Sequence, residues 1–117
     1  MVKLLIEAGA NLDIQDNGGN TALIGASYNN RPEVVKLLIE SGANIDVQNN
    51  SGCTALILAS YRNHIEVVKL LIEHFADEFI IDNDGKSFYD YLNKENKKVI
   101  KELYPNEVES ALIASGN

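Results

Sequence analysis

Gly52-Cys53-Thr54-Ala55-Leu56-Ile57-Leu58-Ala59-Ser60-Tyr61, followed by Ile65-Glu66-Val67-Val68-Lys69-Leu70-Leu71-Ile72-Glu73, is the stretch whose reading decides the fold. Moved back by roughly 33 residues it meets its own counterpart, and that interval is the period of a stacked helical repeat. Gly19-Asn20-Thr21-Ala22-Leu23-Ile24-Gly25-Ala26-Ser27-Tyr28 stands opposite the first half, and Glu33-Val34-Val35-Lys36-Leu37-Leu38-Ile39-Glu40 opposite the second. Between Val2–Val34 and Val35–Val67, about two thirds of the positions coincide. Function must therefore be sought in an array of units and not in one catalytic constellation.

A chain of 117 residues fits a single domain, 1–117, and is long enough to bury a core without metals or disulfides. Cys53 is the one cysteine, which excludes an intramolecular disulfide and suits the cytoplasm or another reducing intracellular space. There is no apolar run long enough for a membrane span, and no secretory signal is evident. The net charge of −7 argues against nucleic acid, which would need a basic face. Asn is frequent but scattered through the repeat.

The chain opens in the middle of a unit. Val2, Leu5 and Ile6 have helical spacing over Met1–Ala8, and Gly9 falls where that helix must stop. The partial unit is assigned to 1–14. Residues 15–47 form the first complete unit. Thr21 stands where it can cap a helix that turns Leu23 and Ala26 inward and ends near Asn29-Asn30. Pro32 and Glu33 open the second helix, and Gly42 ends it. Its five apolar residues from Val34 to Ile39 are too many for one stripe, which suits a helix covered on several sides. Residues 48–80 repeat these devices with Thr54, Asn63 and Glu66.

At the end of that unit the pattern breaks. Phe75 takes the position of Gly9 and Gly42, and Phe79 that of Asp13 and Asp46. A left-handed Phe costs about 1–2 kcal/mol, so the third finger is expected to be reshaped. The apolar cluster Phe75, Phe79, Ile80 and Ile81 is expected to fold under the C-terminal helix, a binding patch being the alternative. Residues 81–113 keep a turn and a cap in Asp82–Ser87, then become half apolar, as a terminal capping unit requires. Val108–Ser115 is read either as a last amphipathic helix or as a decayed echo of Ala55–Ser60.

Gly-x-Thr-Ala-Leu-Ile-x-Ala, then Glu-Val-Val-Lys-Leu-Leu-Ile-Glu-x-Gly-Ala-Asn, resembles the ankyrin repeat, strongly from Val2 to Asp77 and weakly thereafter. Where the family pattern has Thr-Pro-Leu-His, this chain has Thr21-Ala22-Leu23-Ile24 and Thr54-Ala55-Leu56-Ile57. Losing the His removes a polar link between neighbouring turns and is expected to loosen the ties between fingers. The resemblance implies an all-α solenoid of stacked helix-turn-helix units with projecting, hairpin-like fingers. It also implies protein binding on the concave side, through finger tips and exposed positions of each first helix.

Carried over residue by residue, those positions are Asn17, Gly18, Asn20, Tyr28 and Asn29 in the first complete unit. In the next they are Asn50, Ser51, Cys53, Tyr61 and Arg62, and in the third Asn83, Asp84 and Lys86. Tyr28 and Tyr61 recur at equivalent places beside polar neighbours and are expected side by side on an exposed strip. Tyr and Arg are the residues that most often dominate interface energetics. The plain alternative is that each Tyr covers its own helix end.

Other candidates carry less. Cys53 is placed at an exposed finger position, yet no base beside it in sequence makes it a nucleophile. His64 matches a His habitual in the family after the inter-helix turn, and its spacing from His74 suits neither zinc nor acid–base work. Asn49-Asn50-Ser51 is a formal glycosylation sequon. Asp82-Asn83-Asp84-Gly85 resembles the start of a calcium loop, but no glutamate follows at the required spacing, which leaves a turn.

The sequence thus reads as a non-catalytic protein-interaction module without cofactor or metal. The alternative is a structural C-terminal cap of a longer array whose upstream repeats do the recognition. The helix of the partial first unit lacks a partner for Val2, Leu5 and Ile6. The chain is therefore expected to be a piece of a longer array, to lend that helix to another molecule, or to self-associate through it.

Overall fold

The computed structural model describes residues 11–116. The expected helix over Met1–Ala8, its stop at Gly9 and its uncovered face lie outside the described residues. Those residues form seven helices and no strand: α1 (Ala22–Tyr28), α2 (Pro32–Glu40), α3 (Ala55–Tyr61), α4 (Ile65–Glu73), α5 (Phe88–Tyr91), α6 (Lys94–Leu103) and α7 (Pro105–Ser115).

The local signals start and stop the helices. Thr21 and Thr54 hold an extended conformation, and each Oγ1 accepts the N–H three residues on, of Ile24 and Ile57, at 3.2 Å. In the two complete units the first helix is followed by an Asn in the left-handed region, Asn30 or Asn63, both at φ 56°. An amide side chain tolerates that conformation better than most. Pro32 then opens α2 at its first turn, where a missing N–H costs nothing.

Two layers follow from how these helices bury their apolar faces. The first helices of successive units stack, α1 on α3 and α3 on α5, while α2 packs on α4 behind them. Leu23, Val35, Leu38, Leu56, Val67 and Leu71 are essentially without solvent exposure. Fully burying such side chains contributes about 1.5–3 kcal/mol each. Ala59 at the centre of α3 is fully buried and lets the flanking helices close in. The resulting body is elongated, 43 × 26 × 19 Å.

The last unit differs. α5 is a single turn, opened where the N–H and the hydroxyl of Ser87 both donate to Asp90 Oδ2, at 2.9 and 3.1 Å. It gives way to extended backbone at Leu92, and Asn93 caps α6 by accepting the N–H of Asn96 at 2.8 Å. Ala111–Ser115 lie within α7, which packs against both α5 and α6 and buries Val108 and Ala111. Pro105 is therefore the first turn of a new helix as well as the end of the preceding one.

The third finger is not reshaped. Phe75 adopts φ 65° and takes over Gly42's bonding: Phe75 N–H donates to Ile72 O, as Gly42 N–H does to Ile39 O, both at 3.0 Å. Ala76 N–H to Leu71 O repeats Ala43 N–H to Leu38 O, again at 3.0 Å. Phe79 N–H donates to Asp77 Oδ1 as Asp46 N–H does to Asn44 Oδ1. The ladder of the repeat outweighs the local cost of a left-handed side chain. Nor does the cluster fold under the C-terminal helix: Phe75 is 88 % exposed and Phe79 53 %, while Ile80 alone of the four packs partly against the core.

Candidate functional site

Each finger ends in a turn built around one acceptor. Asp16, Asn49 and Asp82 present Oδ1 to the backbone N–H groups two and four residues on, all within 2.9–3.0 Å. For Asp82 the turn engages one carboxylate oxygen, and the Tyr91 hydroxyl engages the other. For Asn49 it commits the sequon amide, whose Nδ2 also donates to Asn20 Oδ1 at 3.0 Å. Both motifs are turns.

Successive fingers are then tied together. Asn50 N–H donates to Gly18 O, and Asn83 N–H to Ser51 O, at 3.0 Å. The side chains repeat the bond, Asn50 Nδ2 to Asn17 O at 2.9 Å and Asn83 Nδ2 to Asn50 O at 3.0 Å. Gln15 and Gln48 reach across in the same way to Gln48 O and Ile81 O. The fingers approach so closely that a Cβ on Gly52 would stand 2.6 Å from Asn83 Oδ1 and 2.9 Å from Asn83 N. Thus the missing family His leaves no loose fingers here; amide side chains supply the links. His64 adds another, its Nδ1 lying 3.2 Å from Ser27 O in the preceding unit.

Between the fingers and the first helices lie two clefts in series. The first, about 400 Å³, is lined by Asp16, Asn20, Ile24, Gly25, Tyr28 and Asn49, among others. The second, about 190 Å³, repeats that lining one unit on with Asn49, Cys53, Ile57, Leu58, Tyr61 and Asp82, and has Tyr91 where the first has Leu58. Leu58 forms the ridge between them, since it borders both. Gly25, Leu58 and Tyr91 occupy one register position in the three units, so the side chain there grows along the stack and the cleft shrinks. A Cβ on Gly25 would meet nothing within 4 Å, so packing does not require Gly there.

The aromatic rings of this strip each have a cover. Arg62 extends its guanidinium over Tyr28, 4.7 Å from the ring centroid. Tyr61, 55 % exposed, meets Tyr91 edge to face at 5.6 Å, and Lys86 lies over Tyr91 at 5.4 Å. The Tyr91 hydroxyl donates to Asp82 Oδ2, and burial together with that carboxylate pushes the phenol well above its ordinary range. Tyr28 and Tyr61 border adjacent clefts, and Arg62 of the second unit lies over the Tyr28 ring.

The expected site residues divide accordingly. Tyr28, Asn29, Tyr61, Arg62, Asp84 and Lys86 are exposed, as are Asn17, Asn50, Ser51 and Asn83, and Asn20 is half-buried. Asn50 and Asn83 spend their amide donors on neighbouring fingers, and Asn29 donates to Gly25 O in its own helix at 2.8 Å. Cys53 corrects the reading of an exposed finger position: it is 8 % exposed, in the narrower cleft with Asp82, Asp84 and Tyr91. Burial, and then the carboxylates of Asp82 and Asp84, raise its thiol to about 11, so it stays protonated and unreactive near neutrality. Tyr91 and Leu58 are not among the site residues read from the sequence, and Asn49 and Asp82 are read there only as a sequon and a calcium-like turn. Asp16, Asn49 and Asp82 share one register position and Gly25, Leu58 and Tyr91 another, so the repeat period is the signal that groups them.

A family model described as ankyrin repeats (many copies) matches residues 1–39 and, in a second overlapping match, 25–72. No curated protein matches the chain.

Proposed function

Since the chain belongs to the ankyrin-repeat family, whose members generally mediate protein–protein contacts, we propose that it is a non-catalytic module binding a partner protein along the strip of two clefts. The observation that carries this reading is the open first cleft. Gly25 leaves room that packing does not use, beside Tyr28 and Arg62 at the rim. A cleft with an apolar floor, an amphipathic ring and convergent amides takes a side chain from a partner segment. The narrower cleft one unit on takes a smaller one, beneath Tyr61. Tyr and Arg combine large contact area with polar tips, which suits such a rim.

Asn50 and Asn83 then act as staples that hold the fingers in register, and Tyr28, Tyr61, Arg62 and the free face of Asn17 act as readers. The capping role is the second reading, and α7 favours it, since it closes the last unit with Val108 and Ala111 buried. The partner would be sought by affinity capture from an extract of the source cell, with the wild-type chain beside Tyr28→Ala/Tyr61→Ala/Arg62→Ala at matched helicity. A protein retained by the first and lost by the second supports the strip. Equal retention by both would move the site elsewhere, and no retention by either would favour the capping role.

A further inference from the structure

The loop from Phe75 to Phe79 carries two exposed aromatic residues where the preceding unit has Gly42 and Asp46. Neither replacement is demanded by the fold. The bonding of the loop is the same in both units, and Phe75 adopts a left-handed backbone that Gly would accept without strain. Asp46 links its finger to the next by accepting Asp77 N–H at 2.8 Å, as Asp13 accepts Asn44 N–H, whereas Phe79 cannot accept such a bond. Backbone strain and solvent-exposed aromatic surface in one short loop are what a ligand-binding position shows, since the ligand offsets both.

Charge identifies the occupant. The loop carries Asp77, exposed, and Glu78, half-buried, and between Leu70 and Gly85 the chain has no lysine or arginine; of the other carboxylates there, Asp82 is buried in its own turn and Glu73 accepts the Tyr104 hydroxyl. The loop also follows the C-terminal end of α4, where the helix dipole is negative and no basic side chain stands in the last turn. Exposed aromatic faces attract ammonium and guanidinium groups. We propose that Phe75 and Phe79 form a second docking surface, separate from the cleft strip, for a basic amphipathic segment of another protein. Its apolar side chains cover the two rings, and its lysines or arginines meet Asp77 and Glu78.

The test uses a fluorescein-labelled peptide of leucine and lysine at helical spacing, and its counterpart with glutamate in place of lysine. Each is titrated into the full chain and into Phe75→Gly/Phe79→Asp, which restores the residues of the preceding unit and removes the strained side chain. The expected result is that wild type binds the lysine peptide at least ~10-fold more tightly than the variant does. The variant keeps or raises its urea midpoint, the glutamate peptide does not bind, and Tyr28→Ala/Tyr61→Ala/Arg62→Ala binds as wild type does. Equal binding by wild type and the double variant, or no binding by wild type, overturns the proposal. So does loss of binding in the strip variant. A dimer seen by sedimentation for wild type and abolished in the double variant also overturns it, because a second copy would then be the occupant.

Discussion

Arg62 lies over the ring of Tyr28 although the two belong to different units, with 4.7 Å between guanidinium carbon and ring centroid. Both residues are exposed, so the contact ties two repeats together at the surface that is proposed to bind. An exposed pair of this kind contributes about 0.5–1 kcal/mol. Arg62→Ala should therefore lower the unfolding free energy by no more than that, measured by urea titration, while weakening partner capture far more. A larger loss of stability would make Arg62 a structural residue first.

Gly25→Ala separates recognition from folding in the opposite direction. The new methyl meets nothing within 4 Å, and Ala in a helix interior is favoured over Gly by about 0.5–1 kcal/mol. The variant should melt higher and bind the captured partner more weakly, because the methyl intrudes on the first cleft. Calorimetric melting and titration of the same preparation give both readouts.

Gly52→Ala and Gly85→Ala measure how tightly the fingers pack. Both glycines hold similar left-handed angles, φ 79° and 76°, so both substitutions incur the same intrinsic strain of about 1–2 kcal/mol. Only the Cβ on Gly52 collides with Asn83; that on Gly85 meets open space. The urea midpoint should fall clearly further for Gly52→Ala, and equal midpoints would show that the fingers part easily. Asn83→Ala, which removes an amide donor, should cost about 0.5–1.5 kcal/mol.

Cys53 gives a pH signature. Its thiol is raised from 9.0 to about 11 in the folded chain, so the unfolded chain loses this proton first as the pH rises. The contribution is fully present below about pH 9 and is lost between about 9 and 11. The stability difference between wild type and Cys53→Ala should hold steady below pH 9 and drift against wild type above it. Parallel curves across that range would contradict the burial of the thiol.

The parts of the fold legible in the sequence are those set by bonds within a few residues. Thr21 and Thr54 as caps, Asn30 and Asn63 as left-handed stops, and Pro32 as a helix opener each act on their own turn. Their recurrence at a fixed period gave the stacking. The readings that failed did so for two reasons: a neighbouring unit decides the environment, or a loop's own hydrogen bonds outweigh a local cost. Cys53 looked exposed by its place in the finger, yet it shares a cleft with Asp82 and Tyr91 of the following unit. Phe75 looked too costly at a glycine position, yet the hydrogen bonds of the loop hold it there. The scattered asparagines belong with these: Asn50 and Asn83 show their use only once the fingers stand beside one another. Along the cleft strip, the tyrosines stood out by type, whereas Gly25, Leu58 and Tyr91 differ in type and share only a register.

The most direct measurement is calorimetric titration of the captured partner into wild type and into Tyr28→Ala/Tyr61→Ala/Arg62→Ala, with unfolding curves run on both. Residues that dominate an interface cost about 2 kcal/mol or more when truncated. The triple variant should therefore bind at least ~30-fold more weakly while remaining folded. Equal affinity for the two chains would contradict recognition along the cleft strip.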